Sequence, residues 1–449
     1  MISAAHIASL RRRFSGDLID PGHAEFAAAR RVWNGMIDRR PGLIARCACA
    51  EDVAAAVDWG RELGLTLAVR GGGHNVAGFA VCDGGLVIDL SRLRAVEVDP
   101  RARVARVAGG ATWGDFDRAT QAYGLASTGG EVSSTGVAGL TLGGGIGWLM
   151  GRCGLACDNL RAVELIDAGG QRLRASRSER PELLWALCGG GGNFGVVTQF
   201  EIALHEIGSV IAGPILFPAA STEAFLARYA EWTAGAPDEL TMMAMLVAAA
   251  DGTPMVGAFL VHCGAAKAAE RWVDQVRAFA PALVDDVRAR SYGELQAMLD
   301  PTAPAGRRNY WKASFVKRLE PELIRALHRG VWPLRSVWSS VLIEHLHGAV
   351  TRVPADATAF GLREECYSIG IFSVWGDPAD DALHTAWAGG VAGAIAPWAT
   401  AGAYINYLGA DGTAQARASY GTNYPRLVDV KRRYDPHNVF RLNHNIGPE

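Results

Sequence analysis

The sequence predicts an α+β protein built from two unlike parts, and three observations carry that expectation. Of 54 glycines in 449 residues, 27 fall between residues 71 and 195, under a third of the chain. Up to about residue 207, short apolar runs alternate with helical stretches and glycine loops. From 209 onward strands and helices lengthen, as in a largely antiparallel sheet covered by helices. The expected division is 1–207, 208–409, and a segment 410–449 that returns to the first part. A glycine excess confined to one region points to tight turns or to close approach of backbone to a ligand.

In the first part, 51–64 reads as an amphipathic helix closed by Gly64. Leu65–Val69 is a short strand feeding the loop Arg70-Gly71-Gly72-Gly73-His74-Asn75. Runs 87–90, 95–98 and 104–108 read as strands, and 112–123 as a helix capped by Thr112. A long glycine loop spans 129–147. Strands are expected at 162–167, 171–175 and 196–204, the first two joined by a hairpin turn at Asp167-Ala168-Gly169-Gly170. In the second part, strands are expected at 209–217, 240–249, 255–262, 339–347, 367–375 and 403–408. Helices are expected at 222–233, 265–279, 321–338 and 377–397, the last entered through Asp377-Pro378. The remainder reads as a helix and a tail that docks elsewhere.

Composition excludes several classes of function. Lys+Arg 44 against Asp+Glu 46 leaves a net charge of −2, with no basic face for a nucleic-acid partner. No apolar run reaches the roughly 18 residues a membrane helix needs, and the N-terminus lacks the apolar core of a signal peptide. Eight cysteines in a chain this long make neither a disulfide framework nor a metal-spaced set. The expected setting is the cytoplasm, with no membrane partner and no metal.

Gly190-Gly191-Gly192-Asn193-Phe194-Gly195 matches the dinucleotide fingerprint in spacing, but a helix precedes it and a strand follows. That context is inverted from the one the mechanism needs, so the match is rejected. The loops 70–75 and 138–148 are more informative. Either alone is compatible with a tight turn, but together they favour a nucleotide cofactor, whose diphosphate bare backbone N–H groups can cradle. His74 stands at the end of a strand among glycines that let its ring approach the neighbouring backbone. His345 and His347 share one face of a strand, with Glu344 and Leu346 on the other. No third metal ligand has suitable spacing, and the pair reads as lining a substrate pocket, with plain sheet packing as the alternative. Tyr404-Ile405-Asn406-Tyr407 alternates likewise, placing Tyr407 opposite Tyr404 and Asn406.

RGGGHNVAG, GATWGDFDRATQAYGLASTGG, GLTLGGGIGWLMGRCGLACDNL and NFGVVTQFEI resemble the FAD-binding domain of berberine-bridge-type flavin oxidases. These belong to the vanillyl-alcohol-oxidase/PCMH superfamily. The tail from Tyr420 to Ile446 resembles the C-terminal signature of the same family. The resemblance implies a PCMH-type FAD-binding domain followed by an α+β substrate domain. It implies FAD bonded through its 8α-methyl group to His74, with Arg70, Gly71, Gly72, Gly73, Asn75 and Gly78 around the first loop. Thr135, Gly139, Thr141, Gly143, Gly144 and Gly147 would wrap the diphosphate. Val197, Asn423 and Tyr424 would complete the cofactor site, and Asn443 and Asn445 would approach the flavin ring. Some members carry a second bond, from a cysteine to flavin C6. Val132 stands at that position here, so a single bond is expected.

In members with a Y-x-N-Y strand the second tyrosine is the base, which maps to Tyr407. The implied reaction moves hydride from an alcohol, sugar or amine carbon to flavin N5, with O₂ as acceptor giving H₂O₂. A free tyrosine, with pKa about 10, is a poor base at neutral pH unless neighbours lower it. His345 and His347 are the candidates for that task. The alternatives are an oxygenating or oxidative-cyclisation enzyme on the same fold, and a flavin-binding protein without turnover.

Overall fold

Residues 2–448 are described by a computed structural model of the chain. Leu43–Arg46, Leu86–Asp89 and Leu67–Arg70 pair in parallel, and Asp17–Ile19 adds an antiparallel edge. These strands are nearly unbroken apolar runs, as parallel strands covered on both faces must be. Helix Ala50–Glu62 lays Val53, Ala56, Val57 and Trp59 against them. The two N-terminal strands went unforeseen, because three or four residues are too few to show a period.

A second, antiparallel sheet follows in the order 96–99, 104–108, 196–203, 160–166, 172–176. Its alternation is legible in Val104–Ala108, where Ala105 and Val107 turn inward and Arg106 outward. At the expected hairpin, Gly170 N–H donates to Asp167 O at 3.1 Å.

The third sheet is antiparallel, in the order 284–285, 209–218, 254–262, 240–248, 340–346, 366–375, 308–316. Helices Thr222–Thr233, Pro321–Val331 and Asp381–Ile395 pack on one face against Val341, Ile343, Ile369 and Ile371. The opposite face, with Met245, Leu342, Phe372 and Val374, looks into a cavity shared with the glycine loops. Period two thus sorts one sheet into a packing face and a working face.

Three expectations change. The helix expected over 321–338 ends at Val331, because Pro333 disfavours helical backbone in the residue before it. Strand Arg308–Val316 was hidden by its polar residues, which meet solvent and the cavity. Residues 403–408 are no strand: Ile405–Tyr407 is a single 3₁₀ turn. Tyr404, Asn406 and Tyr407 therefore all reach the cavity rather than dividing between two faces.

The tail is fastened by a buried ion pair. Lys431 Nζ lies 2.7 Å from Asp435 Oδ2 and also donates to Asn193 O and Phe440 O, at 2.8 and 3.0 Å. Asp435 accepts in addition from the backbone N–H groups of Val439 and Phe440. A charge pair taken wholly from water needs such extra hydrogen bonds to offset its lost hydration. Among the described residues no helix is long and apolar enough to cross a membrane.

Between helix Trp113–Gln121 and the short helix Tyr292–Gln296, Gln296 Nε2 donates to Asp117 Oδ2 at 3.0 Å. Asp117 Oδ1 and Gln296 Oε1 have no partner. Burial pushes the Asp117 carboxyl up to about 7 from 3.8. Above pH 4 the unfolded chain loses this proton while the folded one keeps it until about pH 7, so stability falls across that window. Asp117→Asn should remove the fall, raising unfolding free energy at pH 8 by up to about 4 kcal/mol and by little at pH 4. Urea titration at both pH values checks this.

Candidate active site

A cavity of about 720 Å³ lies between the glycine loops, the C-terminal tail and the working face of the third sheet. One end is lined by Gly71–Asn75, Gly136, Gly139, Gly143, Gly191–Asn193 and Asn443. The other is lined by Met245, Trp311, Trp338, Leu342, Phe372 and Tyr407.

At the first end backbone meets backbone. A β-carbon on Gly72 would stand 2.3 Å from Gly136 N, and one on Gly136 would stand 2.5 Å from Gly72 N. Only glycine at both positions lets the loops close. No lysine or arginine lines the cavity, so an anion there must be held by backbone N–H groups. Buried acceptors nearby lack partners: Thr141 Oγ1, Asn443 Oδ1 and Asn445 Oδ1. A cradle free of side chains, ringed by unpaired polar atoms, fits a dinucleotide such as FAD.

His74 sits where the first loop leaves strand Leu67–Arg70. Its Nε2 lies 2.8 Å from Ser134 Oγ and its Nδ1 lies 3.5 Å from Thr135 Oγ1. Trp33 stacks on the ring at 4.9 Å. Burial lowers its pKa to about 4, the nearby Asp300 opposing only weakly. The imidazole is therefore neutral at neutral pH, with one nitrogen lone pair free.

Tyr407 stands at the other end in an aromatic box, with Tyr404, Phe372 and Trp311 edge-on at 4.8, 5.0 and 5.8 Å. The turn is held on the second loop: Tyr404 Oη accepts from Gly145 N and Ile146 N, and Asn406 Nδ2 donates to Leu140 O. The Tyr407 hydroxyl donates to Glu344 Oε1 at 2.8 Å. Burial first, then the Glu344 charge, drives the Tyr407 pKa well above 10. Burial raises Glu344 as well, to about 7, with Tyr407 and Ser368 pulling it back.

The chain matches the FAD binding domain model over residues 41–176 and the berberine and berberine like model over 403–447. It is 30% identical to (R)-6-hydroxynicotine oxidase of Paenarthrobacter nicotinovorans, over 97% of each chain. An FAD-linked oxidoreductase of Dictyostelium discoideum is also 30% identical, over 93% of this chain and 91% of that one. The chain belongs to the berberine-bridge-type FAD-linked oxidoreductases. The crystal structure of 6-hydroxy-D-nicotine oxidase from Arthrobacter nicotinovorans superposes on it with a TM-score of 0.89 at 30% identity, covering 97% and 98% of the two chains. Berberine bridge enzyme itself, at 20% identity and a TM-score of 0.88, shares the fold.

Within this berberine-bridge-type enzyme the expected cofactor residues divide. Gly71, Gly72, Gly73, His74, Asn75, Thr135, Gly139, Gly143 and Asn443 line the cavity, as does Tyr407. Arg70 does not: its guanidinium is held by Asp89 Oδ2 at 2.6 Å and by the carbonyls of Ala29 and Arg31. Gly78 packs on Ile37, Gly144 on Phe360, and Gly147 on the Gly129 carbonyl. Val197 is core, Thr141 is buried and Asn445 half-buried with its Oδ1 enclosed, and none of the three lines the cavity. Asn423 donates to Ala355 O and Thr358 O, and Tyr424 faces Arg417, so both serve tail packing.

His345 and His347 require correction as pocket residues. They share a face as expected, their rings stacked at 4.8 Å, but it is the helix-covered face of Val341 and Ile343. The strand instead presents Glu344 to Tyr407. The partner of the tyrosine is thus an anion, and neither histidine lowers its pKa. Sequence reading also missed Trp33, Glu131, Ser134 and His444, and it dismissed 190–195 entirely. That segment is no Rossmann turn, yet Gly191, Gly192 and Asn193 form cavity wall. The signal was its bare backbone rather than its spacing.

Gly72→Ala should force the loops apart, lowering stability by at least about 2 kcal/mol and emptying the protein of flavin. Gly139→Ala, whose β-carbon meets nothing within 4 Å, should leave stability unchanged. Thermal unfolding and the 450 nm absorbance of the purified proteins separate the two.

Proposed function

We propose that the chain is an oxidase carrying FAD on His74, with residues 1–207 and 410–449 forming the cofactor domain and 208–409 the substrate domain. The observation that carries this reading is the pairing of a neutral His74 at one end of the cavity with the Tyr407–Glu344 pair at the other. Bound FAD supplies a hydride acceptor for an alcohol, sugar or amine carbon, and O₂ takes the electrons onward to give H₂O₂. Ser134 and Trp33 fix the plane of the His74 ring, and burial leaves it uncharged, as a nitrogen nucleophile must be. Val132 has no sulfur to offer a second linkage, so one covalent bond is proposed.

The proton from the substrate O–H or N–H goes to Tyr407. Its own pKa makes a standing phenolate at neutral pH unfavourable, so Tyr407 passes its proton to Glu344 Oε1 as it accepts the new one. Glu344 thereby holds the proton and Tyr407 acts as the relay that touches substrate. The box of Tyr404, Phe372 and Trp311 excludes water from the relay. The eight cysteines, all free thiols, suit the cytoplasmic setting proposed for it.

Denaturing electrophoresis tests the linkage: wild type should show a fluorescent flavin band and His74→Ala none, whereas no band in wild type removes covalent attachment. Tyr407→Phe should lower kcat by about 10²–10⁴ on a substrate found by H₂O₂ screening, with flavin content unchanged. Because Glu344 must be ionised to accept the proton, kcat/KM should fall below about pH 7. Glu344→Gln should lose most activity together with that acidic limb.

A further inference from the structure

Behind the cavity wall, Asp117 on helix Trp113–Gln121 meets Gln296 on the short helix Tyr292–Gln296, both of them buried. Gln296 Nε2 donates to two oxygens, Asp117 Oδ2 at 3.0 Å and Gly130 O at 3.1 Å. Asp117 Oδ1 and Gln296 Oε1 remain, each buried and without a partner. Two acceptors cannot bond one another, and a carboxylate left in this state is an unpaired charge out of water. A protonated carboxyl has one O–H to donate. Gln296 Oε1 is the unfilled acceptor on the very side chain that holds the other oxygen of Asp117. With the proton on Oδ1, acid and amide close a ring of two hydrogen bonds.

No cation faces Asp117 to favour its ionised form. On the opposing helix Tyr292 is its titratable neighbour, with a phenol pushed far up by burial and by Asp117. Glu294 on that helix is exposed and bonds Ser291. Strand Val96–Asp99 turns Glu97 and Asp99 to solvent, and Leu125–Ala126 carries no charge. On its own helix Asp115 is paired with Arg94, and Arg118 is exposed.

The pair also reaches the site. Gly130 is cavity lining, as are Glu131, Val132 and Thr135 after it. Asp300, one turn beyond Gln296, accepts from Ser133 N at 2.7 Å, and Ser134 Oγ lies 2.8 Å from His74 Nε2. Side chains at 296 and 300 thus hold, from the substrate domain, the stretch of cofactor domain that orients the imidazole. We propose that Asp117 and Gln296 form a proton-locked acid–amide clamp that positions wall segment 130–135 and, through it, His74. Neither residue lines the cavity, so both are positioning residues. The role at His74 rests on the oxidase reading, whereas the clamp itself does not. Since burial lifts the Asp117 carboxyl to about 7, the clamp is closed below that pH and opens as pH rises through it.

Infrared difference spectra locate the proton. Wild type minus Asp117→Asn at pH 6 should show the carbonyl stretch of a protonated carboxyl, fading as pH passes about 7. Hydrogen exchange reads the wall. From pH 6 to pH 8, segment 130–137 of wild type should lose about tenfold in protection beyond the ordinary pH effect. Asp117→Asn, whose amide makes the same two bonds without a proton, should lose none. Gln296→Ala should leave the segment unprotected at both pH values and lower the covalently attached share of its flavin. Absence of the carboxyl band at pH 6 overturns the proposal, as does a loss of protection that Asp117→Asn shares. An equal loss in helix Thr222–Thr233, which the clamp does not touch, overturns the positioning role, because global unfolding then explains it. An undiminished covalent share in Gln296→Ala overturns the role at His74. A missing flavin band in wild type sinks covalent attachment, while the infrared and exchange results still decide the clamp.

Discussion

Gly72 and Gly136 touch backbone to backbone, and the rest of the site is positioned from that contact. The first glycine fixes where the chain turns after strand Leu67–Arg70 and hence where His74 emerges. The second opens helix Val137–Leu142, whose far end and following glycines hold Tyr404 and Asn406. Those two residues set the turn that presents Tyr407. The histidine and the tyrosine, 333 positions apart in sequence, are thus placed from one meeting of two residues without side chains.

Water exclusion does the electrostatic work that charged neighbours do in many sites. No lysine or arginine reaches the cavity, and burial is the first cause of the altered pKa at His74, Glu344 and Tyr407. It keeps the imidazole neutral and brings a carboxyl to the middle of the working range. The same burial makes the tyrosine a poor base by itself. A neighbouring carboxylate, rather than a cation, gives its proton somewhere to go.

The general plan was legible in the sequence because it depends on period and on glycine. The antiparallel sheet with its helical cover follows from alternating apolar residues, and the cofactor end from where glycines concentrate. What was not legible has identifiable physical causes. Alternation placed His345 and His347 on one face but could not say which face held the helices, so Glu344 was passed over. The Tyr404–Tyr407 segment alternates like a strand, but Asn406 and Tyr404 bond to the second glycine loop and wind it into a turn. Arg70 stands beside the first loop in sequence, yet Asp89 on the adjacent strand draws it away. Glu131 could not be singled out, since nothing local distinguishes a carboxyl facing a cavity from one facing solvent.

The buried Lys431–Asp435 pair ties the tail to the loop at Asn193, and Asn443 beyond it closes the cavity. The wall of the site is therefore finished by residues about 250 positions beyond the segment they fasten. Both glycine loops and the whole third sheet lie before residue 376, yet the cavity they share is walled on one side by Leu442, Asn443 and His444. The cofactor end of the site is thus closed from two distant parts of the chain, and the burial of one lysine on helix Tyr424–Tyr434 is what joins them.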